Sequence, residues 1–345
     1  MRNPTKKDRK QFNKQRKNLH EVGEFGLISK IRRWIETSNP YIIKGIGDDA
    51  AVIESDEKAL LLTTDILIEG IHFNPAWIDP FRLGRKSLYV NLSDIAAMGG
   101  TPKYFLVSLG IPKSLSLSYV SSFYRGLKDG AKRFEVDLIG GDTSLSKNII
   151  ISICLIGEAK KENVILRKGA KVGDDLYVSG TLGDSALGLK ILQEKGLTKL
   201  NGLIEKHLSP IPRVVLGQII SKNHFATSMI DISDGLLIDT QHILKESNVG
   251  AQIWEEEIPI SSLYSKWIHY YSNDFYKLAE TGGEDYELLF TAPPYLRDKI
   301  SELSRSQRVP ITRIGQILPK KDGFFLIKKD GSKYYPDELG FEHFK

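Results

Sequence analysis

The sequence predicts two successive units of mixed strand and helix behind a short basic extension. Three observations lead there. A chain of 345 residues is long for one core and comfortable for two domains of ordinary size. Apolar residues follow the strand period in some stretches and the helix period in others, and the two alternate along the chain. From Gly157 to Asp175 the sequence is rich in Lys, Gly and Asp and loses its hydrophobic period, which marks a boundary. The expected division is 1–22 for the extension, 23–160 for the first unit and 161–345 for the second.

The extension is set apart by charge. Residues 1–18 hold eight Lys and Arg against Asp8 alone, a balance of +7 that leaves −2 for the rest of a chain totalling +5. A polar run of this kind is expected to be solvated and disordered. Contact with nucleic acid or an acidic surface is the alternative, but Phe12 is the only aromatic available to stack on a base. An organelle-targeting role is weakened by the absence of Ser from the run.

In the first unit, Leu27, Ile28, Ile31, Trp34 and Ile35 have helical spacing. Ala51–Ile53 and Ala59–Ile68 read as strands, Arg82–Met98 as a helix broken by Gly99-Gly100, and Phe105–Ile111 as a strand. Leu117–Phe134 is amphipathic, and Val136–Ile139 and Ile149–Ile156 complete the unit. The second unit opens with the strand Asp175–Ser179 and the turn Gly180–Asp184, followed by helices Ser185–Glu194 and Arg213–Ser221. The strand Ser228–Ile232 leads into the helix Leu236–Lys245, with later strands at Tyr286–Thr291 and Ile311–Ile317. The single cysteine, Cys154, falls in an apolar run that reads as a buried strand, so it is expected to be a core thiol. One cysteine excludes an internal disulfide and fits a reducing compartment, here the cytoplasm. No apolar stretch approaches the roughly 20 residues of a membrane span.

Acidic residues recur at short turns rich in small residues: Gly47-Asp48-Asp49, Thr63-Thr64-Asp65, Ser93-Asp94, Gly140-Gly141-Asp142-Thr143 and Asp231-Ile232-Ser233-Asp234-Gly235. Two unit charges at 4 Å interact by roughly 4 kcal/mol at an effective dielectric near 20. Converging aspartates therefore need cations. Hard oxygen ligands without His or Cys companions point to Mg²⁺, which commonly serves a nucleoside triphosphate. The sequence contains no G-x-x-x-x-G-K-[ST] and no protein-kinase signature. Gly45–Ala50 superficially matches a dinucleotide fingerprint, but a strand follows it where a helix is required. Gly180–Asp184 has better context for phosphate, between strand and helix, and is equally compatible with an ordinary turn.

These pieces carry a family resemblance. Ile46-Gly47-Asp48-Asp49-Ala50, Thr63-Thr64-Asp65, Gly70-Ile71-His72-Phe73, Asn91–Gly99, Gly140–Thr143, Gly180–Ser185, Asp231–Leu236 and Gly282-Gly283-Glu284-Asp285-Tyr286-Glu287-Leu288 occur in the order found in thiamine-monophosphate kinases. That family belongs to the aminoimidazole-ribonucleotide synthetase-like ATP-binding superfamily. The resemblance runs from about Gly23 to Phe344. It implies an α+β fold of two domains with mixed sheets and helices packed on them, and a homodimer whose amino-terminal sheets join. It also implies ATP-dependent phosphorylation of thiamine monophosphate to thiamine diphosphate with several Mg²⁺ ions.

By position, Asp49, Thr63, Thr64, Asp65, Asp94, Asp142, Asp231 and Asp234 match the family's metal sites. Tyr124, Gly141, Arg167 and Ser233 match its nucleotide contacts, and His72, Glu284 and Phe341 its substrate contacts. Asp48 is expected to form the turn, and Asp94, placed before an Ala-rich helix, could also act as its cap. The acceptor is itself a phosphate, so no catalytic base is expected. The basic extension lies outside the family core, and Thr63 stands where some relatives have Ser. Another ATP-using kinase or synthetase of the superfamily is the alternative, and nucleic acid is not expected as a partner.

Overall fold

Alternation along Lys58–Ile68 organises the first sheet. In the computed structural model, which describes residues 19–35, 39–196 and 202–343, Ala59, Leu61, Thr63 and Leu67 are buried while Thr64 and Ile66 are exposed. The strand thus has one covered face and one open face. The basic residues 1–18, with the expectations attached to them, lie outside the described residues.

Helices α1 (Leu19–Val22) and α2 (Glu24–Trp34) belong to a small unit that includes the last residues of the chain. The body, residues 39–341, begins with β1 (Ile42–Lys44), β2 (Ala51–Ser55), β3 (Lys58–Ile68) and α3 (Pro80–Ala97). It continues with β4 (Thr101–Ile111), α4 (Leu117–Phe134), β5 (Asp137–Leu145) and β6 (Ile150–Lys160). The six strands are ordered β1-β2-β3-β6-β4-β5. Only β4 and β5 pair in parallel, and α4 supplies the crossover that parallel pairing demands.

Helix α3 starts two residues earlier than its apolar spacing suggests. Asp79 caps it by accepting the Arg82 N–H at 2.9 Å, and Pro80 takes the first turn. Helices α3 and α4 lie in close contact because of their glycines. A Cβ on Gly84 would sit 2.1 Å from the Phe123 carbonyl oxygen, and one on Gly126 1.9 Å from that of Phe81.

The helices cover only one face of this sheet. Phe105, Val107 and Leu109 of β4 are buried, while Tyr104 and Leu106 are exposed. All nine residues of the edge strand β5 are exposed, Leu138, Ile139 and Leu145 among them. Cys154 is a free, half-buried thiol on the same open face. The expectation of a core thiol is corrected by the sheet's one-sided packing.

The second sheet uses β7 (Asp175–Ser179), β8 (Ser228–Asp231), β9 (Gly250–Trp254), β10 (Leu288–Ala292), β11 (Ile311–Leu318), β12 (Phe324–Ile327) and β13 (Lys333–Tyr334). Their order is β13-β12-β9-β11-β7-β10-β8. Strands β7 and β10 are buried along their whole length, as expected for central strands covered on both sides. Around them pack α5 (Asp184–Lys195), α6 (Gly202–Leu208), α7 (Val214–Lys222), α8 (Leu236–Ser247), α9 (Ser262–Trp267), α10 (Lys277–Thr281) and α11 (Arg297–Gln307). Helix α3 touches β3 and β6 of the first sheet and also β8 and α7, so one helix is shared by both halves of the body. Among the described residues, no helix is long and apolar enough to cross a membrane.

Candidate active site

Strand alternation and the carboxy-terminal turns of α3 bring the first carboxylates together. Thr63 and Asp65 project from the covered face of β3 towards α3. The Thr63 hydroxyl donates to Asp94 Oδ2. The Asp65 N–H donates to Asn91 Oδ1 at 3.0 Å, and Asn91 Nδ2 donates to the Ser87 carbonyl at 3.0 Å. Two residues on, Ser93 Oγ donates to Asp231 Oδ2 at 2.6 Å, tying α3 to the end of β8. The turn before β2 adds Asp49, whose Oδ1 accepts from Arg167 Nη2 at 2.6 Å and Nε at 3.2 Å. Asp48 accepts the backbone N–H of Asp49 and of Arg167, each at 3.2 Å, and so shapes the turn.

The result is a buried acidic cluster. Oxygens of Asp49, Asp94 and Asp231 all lie within 4.8 Å of one another. At that spacing each charged pair repels by about 3 kcal/mol at an effective dielectric near 20. Burial pushes the Asp49 carboxyl up to about 7, with Arg167 opposing and Asp231 and Asp48 reinforcing the rise. Burial likewise raises Asp65 to about 6, helped by Asp49, and Asp231 to about 6 against the Ser93 hydrogen bond. Asp94 is raised well above its ordinary value by burial and then by Asp65, Asp231 and Asp49.

The residues present fit a hard cation. Asp49 Oδ2 is buried with no hydrogen-bond partner among the described residues, and it belongs to the carboxylate group that converges on a common point. An all-oxygen set of this kind suits Mg²⁺. A second group, Asp234, Asp239 and His242, also has ligand atoms within 4.8 Å of one another. There Asp239 Oδ2 accepts the backbone N–H of Asp234 at 3.2 Å and of Gly235 at 3.0 Å.

Beside this cluster the loop Gly282–Glu287 lies against the Ser233-Asp234 turn. A Cβ on Gly283 would come within 2.4 Å of the Ser233 carbonyl oxygen, and the Glu284 N–H donates to that oxygen at 2.8 Å. Glu284 has φ 64°, left-handed for a residue with a side chain. Its carboxylate meets Lys86 Nζ at 3.0 Å and His207 Nδ1 at 3.1 Å. Burial opposes its ionisation, but Lys86 and His207 together hold it below the usual carboxylate range, with a smaller contribution from His72. His72 Nδ1 accepts the Ile68 N–H at 3.1 Å. The Phe341 N–H donates to the Asp234 carbonyl at 3.0 Å, with the residue half-exposed.

Several sequence expectations change here. Asp65 lies within β3 and Asp94 within the last turns of α3, as the expected strand Ala59–Ile68 and helix Arg82–Met98 have them, and Asp142 lies within β5, so the turn reading fails for all three and Asp94 does not cap a following helix. The Thr64 side chain points to the open face, where its hydroxyl is 3.5 Å from that of Ser152, because neighbours on a strand face opposite ways. Asp142 is exposed on β5, in register with Ser108. Three strand spacings separate it from β3, about 14 Å, so one chain does not bring it to the cluster. Gly141 shares that strand. Tyr124 packs its ring edge-on against Phe123 and, among the described residues, makes no polar contact with the acids. Three N–H groups of the turn Gly180–Asp184 are already taken: Gly180 donates to the Pro310 carbonyl and Leu182 to that of Pro259, each at 2.8 Å, and Gly183 to Asp285 at 2.7 Å.

The sequence reading missed Lys86, His207, Asp239 and His242, and it quoted Asn91 and Ser93 without giving them a role. Lys86 did leave a trace, as a cation three residues after Leu83 on the apolar stripe of its helix.

A mixed six-stranded sheet sharing a helix with a seven-stranded one, with carboxylates from both halves meeting at that helix, defines an AIR synthase related protein. The family models for the N-terminal and C-terminal domains of AIR synthase related proteins match residues 47–159 and 171–328. Thiamine-monophosphate kinase of Aquifex aeolicus is 39% identical over 329 residues, covering 94% of this chain and 99% of the relative. The Buchnera aphidicola (subsp. Acyrthosiphon pisum) thiamine-monophosphate kinase is 40% identical, covering 93% and 98%. A solved structure of AaThiL complexed with AMPPCP and TMP superposes with TM-score 0.83 at 38% identity, covering 95% of this chain and 99% of that one. The chain belongs to the thiamine-monophosphate kinase family.

Proposed function

We infer that this protein transfers the γ-phosphoryl group of ATP to thiamine monophosphate, giving ADP and thiamine diphosphate. The observation that carries the reading is the buried meeting of Asp49, Asp94 and Asp231 from both halves of the body, in a chain of this family. Magnesium held there would neutralise the phosphates and the aspartates together and stabilise charge in the transferring group.

The remaining work falls to the chain's own groups. Asp49, Asp65, Asp94 and Asp231 would hold the metals, with Thr63 and Ser93 orienting the carboxylates they bond. Asp234 would extend the set, together with Asp239 and His242. Arg167 and Ser233 face the nucleotide. Glu284, His72 and Phe341 hold the acceptor. Because the acceptor oxygen is already anionic near neutral pH, alignment suffices and no side chain need remove a proton. Transfer is direct and in line, without a covalent enzyme intermediate.

Two further parts of the proposal concern assembly and place. A nine-residue edge strand whose residues are all exposed, carrying Leu138, Ile139 and Leu145 and paired on one side alone, with β4, invites pairing with another chain. A second copy covering the open face of the first sheet would satisfy it, and Asp142, Gly141 and Thr64 would then act across the dimer. Tyr124 remains a proposed nucleotide contact by its position in the family pattern alone. The lone thiol fits the reducing cytoplasm.

Magnesium-dependent formation of ADP and thiamine diphosphate from ATP and thiamine monophosphate, followed by chromatography of both products, tests the reading. Free thiamine is expected to fail as acceptor, since its hydroxyl is neither anionic nor a metal ligand. Equal use of free thiamine, or turnover unaffected by a chelator, would contradict it.

A further inference from the structure

Lys86 is 1% exposed, and a buried ammonium is strongly unfavourable unless it is paired and fully hydrogen-bonded. Its Nζ has two partners, the Glu284 carboxylate at 3.0 Å and the His207 carbonyl oxygen at 3.0 Å. His207 closes the ring from the other side. Its Nδ1 lies 3.1 Å from the second carboxylate oxygen of Glu284 and 3.2 Å from Ser185 Oγ. Burial, and next the Lys86 charge, push the imidazole down to about 4, so it meets Glu284 as a neutral N–H donor.

Here the cation is the buried member, and the Glu284 side chain keeps a quarter of its surface exposed. Its backbone is left-handed, a conformation that persists for a non-glycine residue only where the surroundings hold it. Lys86 and His207 grip the far side of a carboxylate whose near side remains open.

Lys86 also sits on α3, eight residues before Asp94, which places them about 12 Å apart along the helix axis. One rigid element therefore carries both a carboxylate of the acidic cluster and the cation that anchors Glu284. The same helix fixes how far the acceptor's distal end can lie from the reacting phosphates.

We propose that Lys86, with His207, is a positioning residue that sets the Glu284 carboxylate for the heteroaromatic end of the acceptor and gauges that end against the acidic cluster. This deepens the kinase reading and rests on it. A carboxylate held charged and half-open suits a cationic or amino-bearing ring.

The test is a steady-state comparison of wild type, Lys86→Met, Glu284→Gln and the double variant, with melting temperatures measured alongside. Lys86→Met should raise KM for thiamine monophosphate roughly ten- to hundredfold and leave KM for ATP within about twofold. The double variant should be no worse than Glu284→Gln alone, because the two residues act through one interaction. Equal rises in both KM values, or additive effects in the double variant, would overturn the proposal. Should Lys86→Met not fold, the double variant removes both buried charges, and Lys86→Arg keeps the charge while displacing the donor. Lys86→Arg must then show the same acceptor-selective KM rise, and its absence overturns the proposal. A wild type that ignores thiamine monophosphate would instead sink the kinase reading, so the two failures are distinguishable.

Discussion

Asp94→Asn is expected to lower turnover by at least about a hundredfold, the scale on which loss of one preorganised electrostatic group is felt, while leaving the fold intact. Asparagine matches the shape of aspartate and can still accept the Thr63 hydroxyl, so packing at the end of α3 is preserved. What disappears is one charge from a group in which Asp65, Asp231 and Asp49 all repel Asp94. Metal-free protein should therefore become more stable on substitution.

The pH dependence follows from the same groups. Asp49 titrates near 7 and Asp65 and Asp231 near 6 in the folded protein, against an ordinary 3.8. Raised carboxyl values favour the folded state at low pH, and that contribution is lost as pH rises through 6 to 7. Without metal the wild-type melting temperature should fall between pH 5 and pH 8, and added magnesium should restore it more at pH 8 than at pH 5. The Asp94→Asn protein should show a shallower fall and a smaller magnesium effect. Near wild-type turnover in this variant, or an unchanged magnesium response, would remove Asp94 from the metal site.

Mixing two inactive variants is expected to restore activity. Asp142 is exposed on β5, on the open side of a sheet whose other face carries the acidic cluster. If it acts on the partner's site, a dimer pairing an Asp142→Asn chain with an Asp231→Asn chain contains one intact site and one doubly defective site. Random reassortment makes half the dimers mixed, so about a quarter of wild-type activity should return. Each variant alone should be nearly inactive. If the pure variants are dead and the mixture stays dead after proven subunit exchange, Asp142 acts within its own chain. If Asp142→Asn alone is fully active, its metal role is gone.

The α+β architecture of two mixed sheets was legible in the order of the motifs. The placing of individual side chains was only partly so. Thr63-Thr64-Asp65 was read as one ligand group, although the period of two along a strand already divides it into an inward pair and an outward Thr64. Asp94 was read both as part of the helix Arg82–Met98 and as a cap before an Ala-rich helix; the first reading holds, because Ala96-Ala97 close the helix that begins at Pro80. The contact between Ser93 and Asp231 spans 138 residues, and nothing local in either segment encodes it. Lys86 was passed over because the helix was read from its apolar positions, where a lysine counts as a gap. Its partner Glu284 lies in the other half of the body, out of reach of any periodicity.

In the proposed mechanism Asp49, Asp65, Asp94 and Asp231 form one cation site. Crystals grown with manganese, a non-hydrolysable ATP analogue and thiamine monophosphate would test this by anomalous scattering. The expected result is a manganese peak within about 2.5 Å of Asp49 Oδ2 and of oxygens from Asp94 and Asp231, a distance suited to hard-cation coordination. Nucleotide and manganese bound elsewhere, with these carboxylates left without an ion, would contradict the account.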